Sequence, residues 1–340
     1  MENNNPLVSV IMCVYKTNYS FLRDSIESVL SQSYSNFEFF IIDDGSPDLC
    51  GEICDSYSKK DDRVIVIHQD NKGPSYSRNV GLKMAKGKYI AIIDSDDIAL
   101  PSRFEKQVSY LEDNEDVVVL GTWYKHIGNK TNEVKIVVPD NEKYRCCLFF
   151  NNVPTILNPS VMIRNLVLME NNIAFDQDLR MGEDYLLWVR LSEKGKITNY
   201  PEVLTYYRIH DNQSTNRKNR IKIDKNINLI NRYQLNSIGI ELSDEIIDLY
   251  FCNYPAKINN IKKVFKALEL VETKNFESKY YDIKSFGSVI QDYKFNCLSR
   301  LRNPFKILVL LFSPYTSKLM FSALWCKIKR FFSKHQVSRV

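Results

Sequence analysis

Acidic residues run out before the chain does. No Asp or Glu follows residue 292 of the 340, whereas residues 293–340 carry ten Lys and Arg. The rest holds 36 of the 46 basic side chains against all 41 acidic ones, so a mildly acidic body carries a strongly basic tail. That distribution argues against a protein that coats nucleic acid. The eight cysteines form no C-x-x-C pair and no Cys/His cluster at zinc spacing, which excludes the common structural zinc sites. Cys50 and Cys54, four apart in an expected helix, read as ordinary buried thiols. The N-terminus, MENNNPLVSV, lacks the basic and apolar regions of a signal peptide. The expectation is a cytoplasmic chain with reduced thiols. The apolar run 305–312 is too short to span a bilayer and is followed by Pro314. The dinucleotide fingerprint G-x-G-x-x-G is absent after the first apolar run, which ends Val14-Tyr15-Lys16-Thr17. The phosphate loop G-x-x-x-x-G-K-[ST] is absent too, since Gly128-Asn129-Lys130-Thr131 lacks its spacing. A hydride-transferring dehydrogenase and a P-loop NTPase are thereby set aside.

The composition, 44% hydrophobic and 26% charged, is that of a globular chain with material for a large core. Apolar runs rich in Val, Ile, Phe and Tyr recur at 7–15, 37–42, 64–68, 89–93 and 117–121. Most are continuous rather than alternating, as strands buried on both faces are. Helical spacing separates them. Phe21, Leu22, Ile26, Val29 and Leu30 make one stripe, with Ser20 as expected N-cap. Phe104, Val108 and Leu111 make another, with Pro101 in its first turn. Strands about 25–30 residues apart match a βαβ unit. The expected fold class is α/β, a doubly wound, mostly parallel sheet.

In such a sheet the ligand lies beyond the carboxyl ends of the strands. There the second run continues into Asp43-Asp44-Gly45-Ser46 and the fourth into Asp94-Ser95-Asp96-Asp97. Acidic residues after a strand also serve as plain turn formers. Packed like charges are costly, however, unless a cation joins them. A bound nucleotide would meet these carboxylates across a hard divalent cation, Mg²⁺ or Mn²⁺.

With the acidic turns placed, the chain resembles a family 2 glycosyltransferase of the GT-A fold, a Rossmann-like architecture. The resemblance rests on Val8-Ser9-Val10-Ile11-Met12-Cys13-Val14-Tyr15, Ile41-Ile42-Asp43-Asp44-Gly45-Ser46, Asn71-Lys72-Gly73-Pro74 to Arg78-Asn79-Val80-Gly81, and Asp94-Ser95-Asp96-Asp97. It continues through Gly182-Glu183-Asp184-Tyr185-Leu186-Leu187-Trp188 and Tyr207-Arg208-Ile209-His210. It covers about residues 6–215. It implies inverting transfer of a sugar from a nucleoside diphosphate donor, usually UDP-linked. By that resemblance Val14 and Tyr15 lie against the base and ribose. Asp44 accepts from the uracil ring, and Arg78 lies near the base or diphosphate. Asp94, Asp96 and Asp97 share ribose contact and metal binding, Asp96 first for the metal. Asp184 is the catalytic base, with Glu183 beside it to position the acceptor. Arg208 and His210 close over the diphosphate, His210 as an added metal ligand. Two segments depart from the frequent family pattern: Cys13-Val14-Tyr15-Lys16 where Pro and Asn often appear, and Asn158-Pro159-Ser160 with Asn where His is common.

Inversion needs a base on one side of the anomeric carbon and a stabilised leaving group on the other. The spacing predicts a helix over 183–194, stopped by Gly195. Its N-terminus favours an ionised Asp184 at neutral pH.

From about residue 216 helical stripes take over. Ile223, Ile227, Ile230 and Tyr233 form one face. Ser243 can cap a helix over 244–251, and Ile258, Ile261, Val264, Phe265 and Leu268 form another stripe. The expected division is a catalytic domain at 6–215, a helical extension at 216–300 and a basic amphipathic tail at 301–340. In that tail, apolar and aromatic residues interleave with Lys327, Lys329, Arg330 and Lys334. That pattern suits a helix lying on the anionic inner face of the cell membrane; the alternative is a helix that covers its own domain. The expected partners are a UDP-sugar donor and a saccharide acceptor, expected to be linked to polyprenyl diphosphate, with no nucleic acid. The pathway classes implied are O-antigen (lipopolysaccharide) or capsule assembly. Three readings compete with hydroxyl glycosylation: a polyprenyl-phosphate sugar synthase, a nucleotidyltransferase, and a non-catalytic nucleotide-sugar binder.

Overall fold

The first apolar run becomes β1 (Val8–Val14). Its side chains divide as a strand requires. Val8, Val10, Met12 and Val14 join one core cluster with Leu22, Ile26 and Val29, and with Phe104, Val108 and Leu111. On the other face Ile11 approaches Gly81 so closely that a β-carbon there would lie 2.7 Å from its Cγ2. Both faces are covered, which is why the run is apolar without alternation.

The computed structural model describes residues 5–129, 134–135, 141–149, 156–179, 182–211, 213, 220–249 and 258–299. The tail expected at 301–340 lies outside the described residues. After β1 follow α1 (Tyr19–Leu30), β2 (Phe37–Asp43), α2 (Cys50–Ser58), β3 (Val64–His68), α3 (Pro74–Met84), β4 (Tyr89–Asp94) and β5 (Ile98–Ala99). Then come α4 (Arg103–Asp113), β6 (Val117–Gly128), β7 (Val134–Lys135), α5 (Asn141–Leu148), β8 (Met162–Arg164), α6 (Asn165–Glu170), α7 (Glu183–Ser192) and β9 (Lys196–Ile209). Helices α8 (Arg220–Ser237), α9 (Asp244–Ile247), α10 (Ile258–Ser278) and α11 (Ile283–Ser299) follow, and a 3₁₀ turn at Asn158–Ser160 precedes β8.

The strand order is β3-β2-β1-β4-β8-β6-β9-β5, with β7 beside β6. β3, β2, β1 and β4 are mutually parallel, and β6 and β9 are parallel; β8 runs antiparallel between β4 and β6. The sheet is thus α/β and mostly parallel, as the apolar runs predict. The parallel register puts the strand ends side by side. Val14 pairs with Asp43, Asp43 with His68, and Cys13 with Asp94.

Several local expectations shift. Asn18, not Ser20, caps α1: its side chain accepts from the Ser20 amide, which lies inside the helix. Pro101 precedes α4, whose cap is Ser102. α7 ends at Ser192 with Glu193 as its C-cap, short of 194.

Two compact units are present. The first comprises residues 1–141 and 154–220 and holds the sheet. The second comprises 142–153 and 221–340, so it takes in a short stretch from inside the 6–215 span. Within the second unit, Cys146 and Phe149 share a core with Ile261, Val264, Phe265 and Leu268 of α10 and with Phe286, Val289 and Ile290 of α11. The Tyr281 and Phe286 rings stack at 4.9 Å.

Candidate active site

β4 ends in Asp94, and the turn that follows is drawn tight. The Asp97 amide donates to the Asp94 carbonyl (3.2 Å), and Ser25 Oγ donates to the same oxygen (2.9 Å). β5 then pairs antiparallel with β9, Ile98 opposite Tyr206. This pairing carries the end of β9 over the acidic turn. The Arg208 amide donates to Asp97 Oδ1 (2.8 Å), and its Nε to the Asp96 carbonyl (2.8 Å). His210 Nε2 meets Asp96 Oδ2 at 2.8 Å. From α1, Asp24 pairs with Arg208 Nη2 (3.1 Å), and the Phe21 ring lies 4.2 Å from its guanidinium carbon and 5.5 Å from the His210 ring.

Asp97 is wholly buried, and its Oδ2 has no hydrogen-bond partner. Burial, then the charges of Asp96 and Asp94, holds its carboxyl well above the usual range. Asp94 moves the same way through burial, against the pull of Arg78 and with a push from Asp96. Burial and mutual repulsion therefore disfavour full ionisation of the acidic turn, and a cation bound there would favour it.

The other wall comes from α3 and α7. Arg78 is buried and commits its guanidinium to two carboxylates, Glu183 Oε1 at 2.7 Å and Asp94 Oδ1 at 3.3 Å. Burial works against its charge, but Asp94 and Glu183 among its neighbours outweigh that and raise its affinity for the proton. α7 begins after Gly182, whose φ of 81° is left-handed and suits glycine. Asp184, next in the first turn, accepts from the Tyr185 amide (2.8 Å). Its carboxyl is pushed up to about 6 by burial and then by Glu183, partly offset by Arg78. The helix N-terminus alone predicts a readily ionised Asp184; desolvation outweighs it, yet the group stays mostly charged at pH 7.

Asp44 is buried beneath the loop before α3. Its Oδ1 accepts from Gln69 Nε2 (2.7 Å) and the Lys72 amide (2.9 Å), and its Oδ2 from the Gly73 amide (2.8 Å). Val14 corrects an expectation. Its side chain is fully buried in the core, so it offers no face to a ligand; Tyr15, 45% exposed, does. Cys13, where Pro is frequent, turns toward Asp44, Arg78, Asp94 and Glu183, and burial pushes its thiol up to about 12, leaving it an inert lining group.

The structure therefore brings Asp94, Arg78, Glu183 and Asp184 into one group, and Asp96, Asp97, Arg208 and His210 into an adjoining one through the acidic turn. Sequence reasoning missed Phe21 and Asp24 of α1, Gln69, and Phe175, whose ring lies 5.2 Å from the Arg78 guanidinium. By spacing Phe21 belongs to an apolar stripe, yet it is only half-buried; no spacing rule separates the two uses. Among the described residues no group of three or more His, Cys, Asp and Glu is set as a ready metal site.

Comparison with known proteins agrees with this architecture. Residues 9–169 match the family described as glycosyl transferase family 2. A glycosyltransferase of Haemophilus influenzae, named as uncharacterized, is 35% identical over 274 residues, 75% of this chain and 84% of that protein. A Rickettsia conorii protein named in the same way is 32% identical over 342 residues; this chain spans 52% of its length. Among solved structures, S. aureus TarS in complex with UDP-GlcNAc superposes with a TM-score of 0.52 at 17% identity, covering 96% of this chain and 92% of that one. The chain belongs to the family 2 glycosyltransferases and has their GT-A fold.

Proposed function

We propose that the protein is an inverting transferase that moves a hexose or N-acetylhexosamine from a UDP-sugar to a hydroxyl of a saccharide acceptor. The observation that carries this reading is the meeting of carboxylates from the acidic turn and from the start of α7 at one buried arginine. Arg78 pairs with Asp94 and with Glu183, and the neighbouring Asp184 feels the charges of Arg78, Glu183 and Asp94. UDP in the fold neighbour TarS is consistent with the donor class.

In this reading Tyr15 and Asp44 border the base, and Arg208 closes over the diphosphate. Asp184 takes the proton of the acceptor hydroxyl as its oxygen bonds to the anomeric carbon and the bond to the diphosphate breaks, releasing UDP. The residues fit a divalent cation. Asp96 presents a half-buried oxygen beside the His210 nitrogen, and the neighbouring Asp97 keeps a buried Oδ2 with no hydrogen-bond partner. Asp96, with Asp94 and His210, would hold Mn²⁺ or Mg²⁺, which supplies positive charge for the departing diphosphate. A polyprenyl-diphosphate-linked acceptor in O-antigen or capsule assembly, met at the inner face of the membrane, rests on the basic tail of the sequence. Among the described residues no helix is long and apolar enough to cross a membrane.

A donor panel tests this: UDP-glucose, UDP-galactose and their N-acetyl forms, with a synthetic GlcNAc-diphospho-lipid acceptor. UDP release with an inverted linkage is expected. Release of inorganic diphosphate, or UDP binding with no turnover on any pair, contradicts it.

A further inference from the structure

Arg78 does not stand alone on its helix. Ser75, Arg78 and Asn79 are spaced i, i+3, i+4, so α3 presents them on one face. All three reach the segment that leads into α7. Ser75 Oγ donates to the Leu179 carbonyl (3.1 Å). Asn79 holds Phe175 twice, its Nδ2 donating to the carbonyl (2.8 Å) and its Oδ1 accepting from the amide (3.0 Å). Arg78 takes Glu183 itself at 2.7 Å, with the Phe175 ring alongside. At its N-terminal end the same helix follows Gly73, whose amide is fixed by Asp44. A single rigid element therefore links the donor edge of the sheet to the first turn of α7.

Glu183 is buried, its side chain 11% exposed, and spent on this contact. A group meant to bind an acceptor sugar would face the open side. We propose that Glu183 is a positioning residue that touches no substrate: it anchors Arg78 between the end of β4 and the start of α7, so that one guanidinium serves both Asp94 and Asp184. This rests on the reading of Asp184 as the base, but its test does not need turnover. The charged groups around Asp184 are Glu183 on its own helix, Arg78 on α3 and Asp94 on β4, with the Tyr185 amide as hydrogen-bond donor. Arg78 favours the ionised form, whereas Glu183 and Asp94 oppose it.

The experiment follows the Asp184 carboxyl by ¹³C NMR in metal-free, substrate-free protein, with Asp184→Asn to assign the signal. Arg78→Met is expected to move its titration midpoint up by about one pH unit, and Glu183→Gln to move it down further in the Arg78→Met background than alone, because alone it also loosens Arg78. Arg78→Lys, which keeps the charge, is expected to return it toward wild type. Thermal melting identifies any variant that does not fold; Arg78→Gln replaces Arg78→Met in the cycle if the latter is lost. If the donor panel shows turnover, the Arg78→Met/Glu183→Gln double variant is expected to lose no more than its weaker parent, because both act through one contact. Equal shifts from Glu183→Gln in both backgrounds, or a rise in acceptor KM with kcat unchanged, overturn the proposal. An inactive panel with shifted midpoints would overturn only the reading of the reaction.

Discussion

Titrating Asp184 away should shut the reaction down in a defined pH range. Its carboxyl is held near 6, against 3.8 for an ordinary aspartate, by burial and by Glu183. A base must be ionised. With a midpoint of about 6, about nine-tenths of the molecules are competent at pH 7 and about one-tenth at pH 5, so turnover falls about tenfold per unit below the midpoint. The shift of about two units corresponds to at most about 3 kcal/mol by which the folded state disfavours the charged form. The sign for stability is the reverse of that for activity. A carboxyl raised on folding contributes stability at pH below about 4, and that contribution is lost as pH rises through about 6. Asp184→Asn removes the base and keeps the shape. It should cost about 10²–10⁴ in kcat, the usual worth of a general base, while nucleotide binding stays within a few-fold. The assay is the initial rate of UDP release from pH 4.5 to 8.5 at saturating donor. A rate that stays flat down to pH 5, or an Asn variant with most of its activity, would refute the assignment.

Other consequences concern the scaffold and the tail. Arg103 is fully buried and donates to the carbonyls of Ile92, Pro159 and Val161. Arg103→Met leaves these acceptors without their donor and should lower stability by about 3 kcal/mol or more in urea melts; a loss below about 1 kcal/mol contradicts the packing. His68 bridges Asp43 (2.9 Å) and Asp55 (3.0 Å), and those hydrogen bonds raise its proton affinity. Its contribution is complete below about pH 6.5 and is lost as pH rises through the raised value. His68→Asn should therefore destabilise at pH 6 and matter little at pH 9, and equal losses at both would show that the imidazolium plays no part. Deleting residues 303–340 should abolish co-sedimentation with anionic vesicles; binding that survives the deletion, or is absent from the full chain, removes the membrane proposal.

The first half of the sheet was legible because its strands are buried on both faces and so read as unbroken apolar runs. The acidic turns were legible because they begin where those runs stop. β8 was not: three residues, Met162–Arg164, carry too little pattern, and their antiparallel insertion between β4 and β6 depends on distant partners. β9 was hidden by Pro201 and Glu202, which fall where its register with β6 jumps from Tyr200 to Val203. That irregularity lets a strand hold a proline. Within the site, the family motifs named the carboxylates and the arginines. They did not give the pairing of Arg78 with Glu183, because two residues 105 positions apart meet only once α3 and α7 are packed. Nor did they give the desolvation of Asp184, which comes from the whole surrounding wall.

Donor binding requires that a cation and a diphosphate complete the acidic turn. Calorimetric titration of UDP into wild type and Asp96→Ala, each with and without Mn²⁺, measures this directly. Wild-type affinity should rise at least tenfold with Mn²⁺, and Asp96→Ala should abolish that gain. Equal UDP affinity in all four titrations would contradict the account.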